Sequence, residues 1–123
     1  MLGGSASTGL HGYYYLESPV INTSAAAGSV YLNLWRWLTS DYTPYMQNVI
    51  EVYNGSAWVA VFTTGGYPGV KDAAWTPLSY NVTAYKSAAF KFRVGFNVGS
   101  SGVYSDCGQW TLDDVSVSSA ACP

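Results

Sequence analysis

Two stretches of the chain, Val30 to Leu38 and Phe90 to Val98, alternate with period two. In the first, Val30, Leu32, Leu34 and Leu38 form an apolar row while Tyr31, Asn33, Trp35 and Trp37 point the other way. In the second, Phe90, Phe92, Val94, Phe96 and Val98 oppose Lys91, Arg93, Gly95 and Asn97. Successive side chains of a strand leave opposite faces, so each stretch is expected to be a strand with one face in a core. No segment carries the three-to-four spacing of an amphipathic helix.

Further runs of β-branched and aromatic residues, bounded by Gly, Pro, Ser and Asn, predict strands over Tyr13 to Leu16, Val49 to Tyr53, Trp58 to Thr63, Leu78 to Val82 and Trp110 to Val117. The first is open to continuation through Val20-Ile21, and Tyr13-Tyr14-Tyr15 is expected to place at least one ring in the core. Seven short strands at this spacing predict an all-β fold, an antiparallel β-sandwich of jelly-roll type with one concave sheet. Asn54-Gly55 predicts a type I′ hairpin between its two flanking strands. Thr64 to Ala74, rich in Gly and Pro, is expected to be a long loop of the kind that lines sites. Residues 1–11 read as a flexible lead-in and 12–123 as a single domain, since 123 residues suffice for one core.

Charged residues are only 10% of the chain and aromatics 16%, with eleven Tyr and five Trp, a balance that points to a secreted β-rich domain. Five Lys and Arg in all and a net charge of −2 argue against nucleic acid, which needs clustered cations. No run approaches the ~18 apolar residues of a membrane span. The first residues lack the features of a signal peptide, so an export signal is expected outside this stretch. Cys107 and Cys122 bracket a strand whose ends lie roughly 23 Å apart. They pair only if both flanks fold toward each other; free thiols, or a partner in a longer chain, are the alternatives.

If the two alternating stretches share a sheet, its outer face gathers indoles, cations, amides and a glycine. A sugar ring offers C–H bonds to an aromatic face and hydroxyls to forked donors and acceptors, so this set suits carbohydrate. The candidate ligand contacts are Trp35, Trp37, Asn33, Tyr31, Arg93, Lys91 and Asn97, with Glu51. Structural alternatives stand beside each: the indoles packed under a loop, Lys91 and Arg93 paired to Glu51, and Gly95 marking a bulge. Tyr42, Tyr45 and Tyr67 are further candidates for a groove wall.

Near the end, Trp110-Thr111-Leu112-Asp113-Asp114-Val115-Ser116-Val117 breaks strict alternation, so Val115 and Val117 can follow Leu112 inward only with a bulge at the aspartates. Two adjacent carboxylates without a basic neighbour in sequence suggest calcium, with Asp113, Asp114 and Glu17 as ligands. The alternative is a solvated strand edge.

The order Leu16-Glu17-Ser18-Pro19-Val20-Ile21, Leu32 to Trp37, Val49 to Trp58 and Trp110 to Val117 resembles jelly-roll carbohydrate-binding modules of secreted plant-polysaccharide hydrolases and, more distantly, MAM-like adhesion domains. The usual MAM cysteine pattern is not evident. The first resemblance implies a non-catalytic module that binds β-linked glucan of cellulose or mixed-linkage type, is appended to a glycoside hydrolase, and holds structural calcium at the Asp-Asp strand. The second implies a protein-binding module. Catalysis has no constellation to stand on: Glu17 and Glu51 are the only glutamates and His11 the only histidine.

Overall fold

The computed structural model describes residues 10–100 and 108–122. Among the described residues eight strands follow one another: β1 (His11–Glu17), β2 (Tyr31–Ser40), β3 (Met46–Tyr53), β4 (Trp58–Thr63), β5 (Val70–Lys71), β6 (Thr76–Asn81), β7 (Lys91–Val98) and β8 (Gln109–Ser118), with a 3-10 turn at Thr83–Tyr85. They form an antiparallel β-sandwich. The first sheet has the order β1-β7-β3-β4; in the second, β2 is central, with β8 along one side and β6 then β5 along the other. The chain passes from sheet to sheet after β1, β2, β4, β6 and β7.

The apolar rows fill the space between the sheets. Val30, Leu32, Leu34 and Leu38 meet Ile50, Val52, Phe90 and Val94 in one buried cluster closed by Trp110, and Met46, Phe96 and Val98 form a smaller one beside it. Each such side chain, fully buried, contributes about 1.5–3 kcal/mol. Position 36 interrupts the row. Arg36 faces inward, donates through Nε and Nη2 to both carboxylate oxygens of Asp72 at 2.8 Å, and lies over the Phe62 ring. Asp72 also accepts the Leu38 amide and donates its own amide to the Leu38 carbonyl. These bonds tie the 64–74 segment, expected to be loop throughout, to the end of β2 as the short strand β5.

Several local expectations are revised. β1 starts at His11, inside the expected lead-in, with the imidazole stacked on Tyr14. Val20-Ile21 does not extend β1; Ile21 alone makes a bridge, to Phe90. Tyr14 and Leu16 are 63% and 61% exposed although they alternate toward the inner side, because β1 is the sheet's edge. The β3–β4 hairpin closes on the Tyr53–Trp58 pair, leaving four loop residues rather than two. Gly55 has φ of 98°, and the Asn54 side chain holds the turn by accepting the amides of Ser56 and Ala57. A type I′ turn is therefore not formed. The bulge on β8 is present: Asn33 and Trp35 face Ser116 and Asp113, two steps against three. Asp114 sits in it with φ of 48°. Leu112 and Val117 both pack on the core, whereas Val115 is exposed.

Candidate functional site

The two alternating stretches lie in different sheets, because β2 bonds to β5, β6 and β8 while β7 bonds to β1 and β3. Their outer faces are therefore on opposite sides of the sandwich. Tyr31, Asn33, Trp35 and Trp37 are on one; Lys91, Arg93 and Asn97, with Glu51 of β3, are on the other. Alternation specifies which face a side chain takes but not which strand lies next door, and that separates the expected ligand set into two halves.

On the β7 side the charged groups already pair with one another. Arg93 donates to Glu51 at 2.6 Å, and its guanidinium is held between the rings of Tyr15 and Trp58, at 3.8 and 4.0 Å from their centroids. Lys91 pairs with Glu17 and sits near Tyr53 and Trp58. Asn97 donates to Gln47, which also accepts the Tyr13 hydroxyl. Burial, with Tyr15 and Glu51 nearby, raises the Tyr13 pKa above its ordinary value. Gly95 is explained by its neighbour: a Cβ there would come within 2.6 and 2.7 Å of the Tyr15 ring, so the glycine seats a tyrosine rather than a ligand.

The β2 side is different. Asn33 is sealed rather than wet, at 0% exposure. Its amide donates to Ser118 and the Ala120 carbonyl, and its oxygen accepts from Ser79 and the Cys122 amide. It anchors the segment after β8 across the sheet and is unavailable to a ligand. Tyr31 is half-buried beyond it. From Trp35 onward the face opens.

Trp35 lies in register between Pro77 on β6 and Asp113 on β8. Together with Trp75, Asp113 and Asp114 it lines a hollow of about 280 Å³. Trp37 stands behind, its ring edge-on to Trp75 at 5.9 Å, and Trp75 is 39% exposed. Arg36 and Asp72 fix the base of the segment that delivers Trp75 three residues later. The sequence reading missed Trp75. The available signals were its place at the end of a site-type loop and the gap at Arg36 in an otherwise apolar row.

The three carboxylates expected around calcium do not converge. Glu17 is on the first sheet and occupied by Lys91, while Asp113 and Asp114 are on the second. Among the described residues no group of three or more His, Cys, Asp or Glu side chains is placed to hold an ion. The Asp113 carboxylate instead accepts the Asp114 amide at 2.8 Å. Tyr42, Tyr45 and Tyr67 pack edge-on in their own cluster away from this hollow. Cys107, whose pairing with Cys122 the sequence leaves open, lies outside the described residues. The chain matches no family model and no curated protein.

Proposed function

We propose that this domain is a non-catalytic carbohydrate-binding module of a secreted protein, appended to a glycoside hydrolase, and that it holds β-linked polysaccharide of the glucan type. The observation that carries this reading is the hollow between Trp35 and Trp75 on an outer sheet face, with carboxylates at its edge. Indole faces take the C–H side of a pyranose, and the Asp113 and Asp114 oxygens accept its hydroxyls. The volume is near the lower end of the roughly 300–1,000 Å³ usual for ligand pockets, the scale of a single sugar unit with its neighbours lying along the sheet. Affinity electrophoresis in gels containing β-1,4- or mixed-linkage glucan tests this. Trp75→Ala and Trp35→Ala should abolish retardation, and Lys91→Ala, on the opposite face, should leave it intact. The reverse pattern would move the site to the first sheet; no retardation of the unaltered domain by any polysaccharide would end the reading.

A protein-binding role draws on a separate observation. Tyr14 and Leu16 are each more than 60% exposed on the β1 edge, and uncovered apolar residues on an edge strand favour pairing with another chain. Concentration-dependent sedimentation that sugar does not alter would favour it.

A further inference from the structure

The hollow differs from a neutral sugar platform in its charge. The chain has five Lys and Arg, and each is engaged: Arg36 with Asp72, Lys91 with Glu17, Arg93 with Glu51, Lys86 on the carbonyls of Ala26 and Gly28, and Lys71 too has a partner. Among the described residues, no cation pairs with Asp113 or Asp114. Both are exposed, adjacent in sequence, and at the rim of a cavity walled by two indoles. The backbone does not require this charge. The left-handed conformation at 114 is open to Asn or Gly as readily as to Asp, and an Asn at 113 would still offer an oxygen to the Asp114 amide.

An indole face and a carboxylate attract the same kind of group, a cation carried on an apolar frame. An ammonium over Trp is attracted by the negative face of the ring, and a carboxylate beside it adds a charge-assisted hydrogen bond. Trp35 and Asp113 are cross-strand neighbours on one face, so one ring substituent can meet both. Resting on the reading of the site as a sugar-binding hollow, we infer that its preferred ligand is a β-linked polysaccharide bearing protonated amino groups, a polymer of 2-amino-2-deoxy-glucose units. Such a chain keeps the flat equatorial backbone of a β-glucan and replaces one hydroxyl per unit by an ammonium. Uronic acid polymers, with a carboxylate per unit, are disfavoured by the same charges.

The test is calorimetric titration of the domain with glucosamine, N-acetylglucosamine and cellulose hexamers of matched linkage, at low salt and a pH where the sugar amine is protonated. The glucosamine hexamer should bind at least tenfold more tightly than the other two, and this margin should shrink as salt is raised. Asp113→Asn/Asp114→Asn, which keeps both backbone conformations, should bring the three hexamers to equal affinity while its melting temperature stays within a few degrees of the unaltered domain. Trp75→Ala should weaken all three together. Equal binding of the three hexamers by the unaltered domain would overturn the charge preference and leave the sugar-binding reading standing. A preference that survives in the double variant would do the same. Binding of none of the three would remove both.

Discussion

Removing the Asp72 carboxylate tests whether the sandwich depends on the ion pair that interrupts its leucine row. Arg36 and Asp72 expose only 11% and 9% of their side chains and meet through two parallel bonds of 2.8 Å. Asp72→Ala strands the guanidinium in the interior and leaves the Leu38 amide without its carboxylate acceptor. Losing one partner of a buried pair costs about 3–5 kcal/mol, a large share of the roughly 5–15 kcal/mol that holds a domain together. With a urea m-value of about 2 kcal/mol/M, mid-range for a small domain, the unfolding midpoint should fall by roughly 1.5–2.5 M at unchanged slope. The double variant Arg36→Met/Asp72→Ala removes the stranded charge and keeps an apolar group over Phe62, so it should be more stable than Asp72→Ala alone. A loss below about 1 kcal/mol, the value of an exposed pair, or a double variant weaker than the single, would refute the account. Because Trp75 follows this anchor by three residues, Asp72→Ala should also weaken polysaccharide binding.

On the first sheet, Gly95→Ala places a methyl group 2.6–2.9 Å from the Tyr15 ring and Val49. It should cost about 1–3 kcal/mol by overpacking, with much of the loss recovered in Gly95→Ala/Tyr15→Ala; a neutral single substitution would show that Tyr15 does not rest there. Stability should also decline in alkali. Burial raises the Tyr80 pKa against an opposing pull from Arg36, and raises that of Tyr13. A phenol whose folded pKa is raised contributes stability that is fully present below the unfolded value of about 10 and lost as pH rises through the folded pKa. The urea midpoint should therefore be flat near neutrality and fall above about pH 10, less steeply in Tyr80→Phe; an identical slope in that variant would exclude Tyr80 from the effect.

The strands were legible because their information is local. Period-two rows, Gly and Pro at their ends, and a broken phase at Asp113-Asp114 give strand positions, the buried faces and the β8 bulge. Beyond the β3–β4 hairpin, which Asn54-Gly55 marked and the pairing bears out, the neighbour relations were not legible, because Arg93 and Trp35 advertise an outward face in the same way whichever sheet they join. Asn33 shows the same gap from another side. An amide on an outward row looks solvated until the segment after β8 is laid over it, and only pairing of β2 with β8 brings Ser118, Ala120 and Cys122 within reach. Glu17 and Lys91 were each assigned a ligand role, yet they meet one another across the β1–β7 pairing.

These pairings also set the length of the proposed platform. The segment after β8 closes the outer face at Asn33, and the face beyond it carries Trp35, Trp37 and Trp75 with the two aspartates beside the first. Along β2 the open stretch from Trp35 to Trp37 is about 7 Å, enough for one sugar ring and part of a second. Such a short platform gains little from chain length, so affinity has to come from what each unit offers the hollow. A charged substituent facing two unneutralised carboxylates supplies more per unit than another hydroxyl does. Closure at Asn33 and charge at Asp113 and Asp114 thus favour the same class of ligand from independent features of the fold.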